Sequence, residues 1–356
     1  MLLYNFNMKE IITTIDNTPY KLRDWIHIDQ INNDIIKQCL SNNPRAATFL
    51  ENNSHLIDWA VLSGNPNAIP LLDNNLHMID WQMLSTNHNA IHILEKNMHM
   101  IDWKMLSANP NAIHLLEKNI DKIHWKMLSA NPNAIHILQE NKSKIDWEVL
   151  SKNQNACDLI VNNQHLICSV NLSKNKNVLN ILNNKHFCKK RFDSYKLRCG
   201  FWRFLSGNMY AIKLLEENID KIHWDMLSGN SNAIHLLEKN IDKIDWRMLS
   251  TNPNALHLLE KNQDEIMWTL LCGNGEGYEL LKIAIINNVV PQYMIYNNPN
   301  IFTIDYDILK KRYELIEEEL MQKCYHPTRL FNHLNKYNYD IGDDIYYENS
   351  EHIIEF

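Results

Sequence analysis

Tryptophan recurs along this chain at a fixed interval of 22 residues. The interval appears in two ladders, which consist of Trp59, Trp81, Trp103, Trp125 and Trp147 and then of Trp202, Trp224, Trp246 and Trp268. A fixed period of this length is typical of stacked supersecondary units, none of which can bury its apolar face alone. The sequence therefore predicts a repeat array, although 356 residues would otherwise suggest two or three ordinary domains.

Each unit has the pattern of two short helices joined by a turn. The clearest copy, residues 103–124, is WKMLSANPNAIHLLEKNIDKIH. Asp102 is a suitable N-cap for the first helix, helix A, which is expected to begin at Trp103. Asn109 and Pro110 are typical of a helix start, so we expect the second helix, helix B, to begin there and run for about ten residues. Asn119 is expected to close it in the left-handed conformation.

Helices this short are marginal alone, so the units must stack, with each tryptophan buried against its neighbour as an anchor. A serine four residues after the tryptophan, such as Ser107, is expected to let two helices approach closely. The predicted fold class is an all-α solenoid of tandem 22-residue helix-turn-helix repeats with N- and C-terminal caps. A leucine-rich repeat is the second choice, because AIHLLEKN has helical rather than strand spacing. Helices about 8 to 10 Å apart predict an elongated rod or arc about 100 Å long.

The predicted organisation has three parts. Residues 1–36 form an N-terminal cap, and residues 37–294 hold about ten to eleven repeats with a basic insertion near residues 185–200. Residues 295–356 form a C-terminal helical cap and an acidic tail. In the array, the glycines of CGNGEGY at residues 272–278 lack the preceding strand and following Lys-Ser/Thr of a phosphate loop, so the segment is interpreted as a worn repeat.

No catalytic, cofactor or metal site is recognisable. The seven cysteines form no C-x-x-C pair, and we interpret Cys39, Cys157 and Cys272 as free thiols that occupy consensus core positions. No nucleophile elbow, Walker loop or H-E-x-x-H helix is present. The expectation is a protein that is not an enzyme, with no cofactor and no small-molecule substrate.

The most regular surface feature is a row of histidines on the side of helix B expected to face solvent. It is accompanied by lysines four residues later, and the two rows comprise His92, His114, His136, His235 and His257 with Lys96, Lys118, Lys239 and Lys261. One histidine per repeat predicts no metal site, because a third ligand is not evident, and duplication of an ancestral unit explains the row. We predict that these rows, together with Lys189, Lys190 and Arg191 of the insertion, form an interaction surface.

A long repeated surface is suited to protein partners, so the predicted function is a non-catalytic scaffold or adaptor that binds another protein, host or viral. One alternative is a nucleic-acid-binding α-repeat protein, but the net charge is −7 and the outward residues vary too little to read a sequence. Another is a structural virion component. The chain shows no secretory signal and no run of about 18 apolar residues, so an intracellular location without a membrane is expected.

The repeated LSxNPNAIxLLExNxxxIDW unit resembles that of uncharacterised proteins in giant DNA viruses of the mimivirus kind. The segments KLRDWIHIDQI at residues 21–31 and CYHPTRLFNHL at residues 324–334 are similar to those that flank such arrays. The resemblance covers nearly the whole chain. It implies a viral origin and a place in the host cytoplasm or the virion, and it brings no established activity.

Overall fold

The structure is a computed structural model that describes residues 19–26, 34–187 and 195–314. The chain divides into two compact units: residues 20–303 form one, and residues 1–19 with 304–356 form the other. The division into a cap at residues 1–36, an array at residues 37–294 and a C-terminal part at residues 295–356 stays a prediction.

The all-α solenoid is confirmed in the described residues. Helix A occurs as Asp34–Asn42, Trp59–Ser63, Trp81–Thr86, Trp103–Leu106, Trp125–Ala130, Trp147–Leu150, Ser169–Leu172, Tyr195–Ser206, Trp224–Ser228, Trp246–Leu249 and Trp268–Leu271. Helix B occurs as Ala47–Glu51, Ile69–Asp73, Ile91–Lys96, Ile113–Lys118, Ile135–Glu140, Cys157–Asn162, Val178–Leu182, Ile212–Glu216, Ile234–Glu238, Leu256–Lys261 and Tyr278–Ile286. Neighbouring copies of helix A pack on one another, so each unit contacts the next.

Short 3₁₀ helices are a third element of the unit, which the sequence analysis did not anticipate. Most lie between one helix B and the next helix A: Ser54–Leu56, Leu76–Met78, Met98–Met100, Ile120–Lys122, Lys142–Lys144, Ile219–Lys221, Ile241–Lys243 and Gln263–Glu265. The others are Pro44–Ala46, Gly275–Gly277, Gln292–Asn297 and Pro299–Ile301. Two strands, β1 (Tyr20–Leu22) and β2 (Phe302–Ile304), pair as a small sheet.

The predicted start of helix A is correct, and that of helix B is wrong. Asp102 caps helix A, because its Oδ1 accepts a hydrogen bond from Met105 N at 3.0 Å. Helix B is only six residues long and begins at Ile113, without a side-chain cap. Asn109 Oδ1 instead accepts from Asn111 N at 3.0 Å, which closes a turn before the helix. Asn119, with φ −135°, is not left-handed.

The core of each unit is formed by a few aliphatic side chains. Leu106, Ala112 and Leu116 are fully buried, and their equivalents repeat along the array. Trp103 packs against this core but is only partly buried, and so are the other eight tryptophans of the two ladders. The prediction of buried tryptophan anchors is therefore wrong in degree, because the rings pack against the core and stay partly exposed.

Buried asparagines join each unit to the one before it. Asn131 Nδ2 donates to Ser107 O at 3.1 Å and to Asn109 O at 2.9 Å, both in the preceding unit. Within the described residues twelve asparagines occupy this position, and we call them the asparagine ladder: Asn43, Asn65, Asn87, Asn109, Asn131, Asn153, Asn175, Asn208, Asn230, Asn252, Asn274 and Asn298. Because buried backbone carbonyls need a donor, the ladder fixes the register of the stack.

The repeated serine also bonds across units. Ser107 is fully buried, and its Oγ donates a hydrogen bond to Trp103 O at 2.7 Å. The same Oγ accepts a hydrogen bond at 3.0 Å from the backbone N–H of His124, the N-cap residue of helix A in the next unit. In the worn repeat, Cys272 Sγ takes over the first bond and donates to Trp268 O at 3.0 Å. Asn274 there still donates to Ser250 O and Asn252 O, which supports the interpretation of CGNGEGY as a repeat.

The ends of the array meet, within the unit of residues 20–303. The helix Asp34–Asn42 packs against Gln292–Asn297, which stands in the place of helix A in the last repeat. Asn43 Nδ2, at the start of the asparagine ladder, donates to Pro299 O at 3.4 Å, next to Asn298 at its end. The array of residues 20–303 is therefore closed on itself, and the predicted elongated rod or arc is wrong.

Arg23 and Trp25, which lie outside the repeat pattern, complete this closure together with residues of the first and last units, and we call these contacts the seam. Trp25 Nε1 donates to the Tyr278 hydroxyl at 2.7 Å, and the Arg23 guanidinium lies 4.4 Å from the centre of the Tyr278 ring. Arg45 donates to Asn300 Oδ1. Phe49 and Phe302 rings lie 5.6 Å apart. The seam therefore combines hydrogen bonds, a cation–π contact and an aromatic pair.

Candidate interaction surfaces

The repeat presents three kinds of surface. One is the outward face of helix B. The second is the edge formed by the turns from helix A to helix B, such as Asn109–Asn111, which we call the NPN edge. The third is formed by the 3₁₀ helices that lead from helix B to the next helix A, which we call the 3₁₀ edge. Because the two connections leave opposite ends of the helices, the two edges lie on opposite sides of the array.

The histidine row on helix B is held by carboxylates of the preceding unit. His114 Nε2 lies 2.7 Å from Glu95 Oε1, and the same contact occurs between His136 and Glu117. It recurs in the remaining members of the row, His92 with Asp73, His235 with Glu216 and His257 with Glu238. Exposed pairs of this kind contribute about 1 kcal/mol or less each. These histidines therefore take part in contacts between units.

The sequence could have revealed this pairing. Glu95 and His114 are 19 residues apart, and a unit of 22 residues that contains H-L-L-E brings each His beside the Glu of the unit before it. The lysine row of the predicted interaction surface, Lys96, Lys118, Lys239 and Lys261, is exposed. Lys189, Lys190 and Arg191 lie outside the described residues. Whether these side chains bind a partner stays a prediction.

Lysines cover the tryptophans at the 3₁₀ edge. Lys122 Nζ lies 4.6 Å from the centre of the Trp103 ring, and Lys144 Nζ lies 4.4 Å from that of Trp125. The same cation–π contact recurs between Lys221 and Trp202 and between Lys243 and Trp224. Each lysine lies 19 residues after its tryptophan, on the next 3₁₀ helix. This contact explains why half-buried tryptophans are stable at the surface.

Part of the 3₁₀ edge is apolar. Met78 and Met100 stand in the positions that lysines occupy in later units, and Leu76 and Ile120 begin their 3₁₀ helices with exposed aliphatic side chains. The exposed fractions are 43% for Leu76, 39% for Met100 and 47% for Ile120. We call these four residues the apolar stripe. It extends over three consecutive units, and it ends where Lys142 and Lys144 make the next 3₁₀ helix polar.

The NPN edge carries an open groove between the sixth and eighth units of the ladder. Two adjoining depressions share Lys174 and Lys176 in their lining. One depression extends to Lys152, and the other extends to Phe204 and Tyr210. Lys174 Nζ lies 3.9 Å from the centre of the Phe204 ring. The residues that line the groove thus include three lysines and two aromatic rings.

Three of the cysteines have a thiol whose pKa is raised by burial. Burial raises the pKa of Cys272 to about 11, and burial also raises the pKa of Cys39 and of Cys157 above the ordinary range. A raised pKa keeps the thiol protonated near neutral pH, so these side chains pack as small apolar groups. Among the residues described, no three His, Cys, Asp or Glu side chains are grouped to hold a metal ion.

In the part of the chain that the structure describes, no helix combines the length and the apolar character needed to cross a bilayer. Comparison of the chain with protein-family models, with curated proteins and with solved structures found no match.

Proposed function

We propose that this protein is a non-catalytic scaffold or adaptor that binds another protein through the apolar stripe of its 3₁₀ edge. The observation that carries the proposal is the exposure of Leu76, Met78, Met100 and Ile120 on consecutive units. Exposed apolar side chains are ordinary when scattered singly, but a larger exposed apolar surface is typical of a protein-binding site. Methionine is common at such surfaces because its flexible side chain adapts to a partner.

The stacked architecture supports the same proposal. Each 3₁₀ helix is held by the helices before and after it, so the stripe is presented by a preorganised frame and loses little entropy on binding. The resemblance of the repeat to giant-virus proteins extends the proposal to a viral protein that acts in the host cytoplasm or in the virion. Its partner would then be a host protein or another viral component.

The test is affinity capture from nuclease-treated host-cell lysate, followed by direct binding of the captured protein in purified form. One variant carries Leu76→Glu and Ile120→Glu, which place two charges in the apolar stripe. The matched control carries Ser54→Glu and Gln263→Glu, because these residues also begin 3₁₀ helices but lie outside the stripe. A third variant, Lys118→Glu with Lys239→Glu, tests the lysine row of helix B.

We expect the wild type and the matched control to retain the same protein, and the stripe variant to lose at least about tenfold in affinity, as is usual for charges placed in a binding surface. Retention by the stripe variant and loss by the lysine variant would instead assign binding to helix B. If the wild type retained no protein, the adaptor would be ruled out in favour of a structural virion component.

A further inference from the structure

Several residues that line the groove on the NPN edge depart from the repeat consensus. Lys152 and Lys174 stand where other units have Gly, Ala or Thr, and Lys176 stands in the place of the usual proline. Phe204 replaces the usual methionine, and Tyr210 replaces an asparagine. Duplication copies residues and therefore explains features that recur. It does not explain five departures that line one groove.

One of these departures gives up a structural bond. In most units the asparagine at the position of Tyr210 donates to a carbonyl of the preceding unit, as Asn111 Nδ2 does to His88 O at 2.8 Å. Tyr210 places an aromatic ring there instead, and 46% of its surface is exposed. The exposed surface of this ring, at an edge of the array, is available for contact with a ligand.

The electrostatics of the groove favour an anion. Its lining includes Lys152, Lys174 and Lys176 and no carboxylate. Asp225, in the unit after Tyr210, is already paired with Arg203, with a distance of 2.8 Å between Arg203 Nη2 and Asp225 Oδ2. The net charge of the whole chain is −7, so this local excess of lysine is opposite in sign to the chain as a whole.

We propose that this groove binds a single-stranded nucleic acid. Lys152 and Lys176 contact the phosphates and the ring of Tyr210 stacks on a base, while Lys174, which lies over the Phe204 ring, adds positive charge to the groove. A basic groove combined with aromatic rings is the arrangement by which single strands are bound without sequence preference, since every base has a π face. The unpaired bases of a single strand can reach such rings, whereas those of a duplex are stacked inside it.

The dimensions of the groove fit a short strand. The lining residues proposed to contact it extend from Lys152 to Tyr210, across the sixth to eighth units of the ladder. At about 8 to 10 Å between neighbouring units, two intervals cover about 16 to 20 Å. This is enough for a strand of a few nucleotides, at the short end of the sites of about 4 to 16 nucleotides that single-strand-binding domains occupy.

The groove differs from the regular outward face of helix B, whose residues vary too little between units to read a sequence. It lies at the NPN edge, and five of its lining residues depart from the repeat consensus.

An acidic peptide would also satisfy the lysines, but it would not require the aromatic rings. The experiment therefore compares fluorescein-labelled dT12, U12 and a 12-residue poly-glutamate peptide by fluorescence anisotropy, at 50 mM and 200 mM KCl. The test variant carries Lys152→Glu, Lys174→Glu and Lys176→Glu. The matched control carries Lys118→Glu, Lys239→Glu and Lys261→Glu, which make the same change of charge on helix B.

We expect dT12 or U12 to bind the full-length wild type, with affinity that falls as salt rises, and to lose at least about tenfold in affinity in the test variant but not in the control. Tyr210→Ala should lower the affinity by about fivefold or more, and Tyr210→Phe should leave it unchanged, since stacking needs the ring and not the hydroxyl. The dT12 and U12 arms show whether the ligand is DNA or RNA.

Three results would overturn the proposal. The first is an equal loss of affinity in the test variant and the control, which would indicate general charge attraction. The second is unchanged affinity in Tyr210→Ala. The third is tighter binding of poly-glutamate than of either oligonucleotide, which would make the groove a site for an acidic protein. Because the altered side chains are exposed, circular dichroism and melting temperature should be the same for all variants.

Discussion

At the scale of single residues, asparagine has more structural roles here than any other polar side chain. Asn109 caps the turn, and its amide joins two carbonyls of the unit before it. Asn111 bonds across the same interface near the surface, and Asn119 Nδ2 donates to Leu115 O at the end of helix B. This role of Asn109 could not be predicted from the sequence, because hydrogen bonds to residues 22 and 24 positions earlier leave no local pattern.

The asparagine ladder leads to a prediction at this scale. Asn131→Ala leaves the carbonyls of Ser107 and Asn109 without their buried donor, and we expect a loss of about 2 to 4 kcal/mol in the free energy of unfolding. Asn133→Ala is the matched control. It removes one exposed bond, to Pro110 O, and should cost about 1 kcal/mol or less.

Urea denaturation followed by circular dichroism measures both variants. Equal midpoints for Asn131→Ala and Asn133→Ala would contradict the importance of the buried ladder. A change in the steepness of the transition, rather than in the midpoint alone, would show that the loss of one rung uncouples the units on its two sides.

At the scale of the structural element, the unit is shorter and more strongly connected than two amphipathic helices would be. Helix A has only four residues in Trp103–Leu106, and helix B has six in Ile113–Lys118. Neither length is stable in isolation. Stability therefore depends on the Asn, Ser and cap bonds between neighbours, together with the burial of Leu106 and Leu116.

The half-buried tryptophan gives a prediction at this scale. Trp103→Ala removes contacts with the core and also the ring that lies beneath Lys122. We expect the free energy of unfolding to fall by about 2 to 3 kcal/mol, which is less than for a fully buried ring. Lys122→Ala removes only the cation–π contact and should cost about 0.5 to 1 kcal/mol.

Thermal unfolding followed by near-UV circular dichroism measures the two variants against the wild type. A melting temperature for Trp103→Ala equal to that of the wild type would show that the tryptophan does not stabilise the stack. If Lys122→Ala lowered the melting temperature as much as Trp103→Ala, the lysine would stabilise the stack by more than its cation–π contact with Trp103.

Much of the element could be predicted from the sequence, and the reasons for the errors are physical. The period, the all-α class and the start of helix A at Trp103 could be predicted because each depends on residues close together in the sequence, such as the Asp102 N-cap. Helix B was placed too early because Asn109-Pro110 has the local chemistry of a helix start. A signal was nevertheless available: the asparagine persists where the proline is replaced, as at His88, Gln154 and Lys176.

The interaction surfaces were less accessible to prediction. The exposure of His114 and Lys118 on helix B follows from helical spacing, and both are exposed. The groove and the apolar stripe depend on which residues of different units come together across the stack. Lys174 and Lys176 were not predicted as surface-site residues, because a departure from the repeat consensus is informative only when the residues near it in space are known.

At the scale of the molecule, the closed array of residues 20–303 changes what the terminal repeats are expected to do. In an open solenoid the end units contact a single neighbour and fray first. Here the first unit contacts both the second and the last, through Asn43 and the seam. The seam could not be predicted from the repeat, since Arg23 and Trp25 belong to no unit.

The prediction at this scale concerns hydrogen exchange. We expect the amides of helix Asp34–Asn42 and of Ile295 and Asn298 to be protected as strongly as those of the central helix Trp125–Ala130, because the terminal units also have two neighbours. In a variant with Arg45→Ala and Phe302→Ala, exchange at both ends should accelerate at least about tenfold, while the centre stays unchanged.

Mass spectrometry of peptic peptides gives these rates. Fast exchange at both ends of the wild type would contradict the closure. Acceleration in the centre as well as at the ends would indicate that the seam variant is destabilised as a whole, so a single substitution, Arg45→Ala, serves as the milder comparison.

The closure also constrains how such a gene can evolve. Tandem repeats gain and lose copies readily by unequal recombination, and an open array accepts such changes at small cost. In a closed array one additional unit changes the angle that each interface must adopt, and the ends no longer meet. Point substitutions and loop insertions between rungs are tolerated, as the 33 residues from Asn175 to Asn208 demonstrate. We therefore expect relatives of this protein to vary in their loops before they vary in their number of repeats.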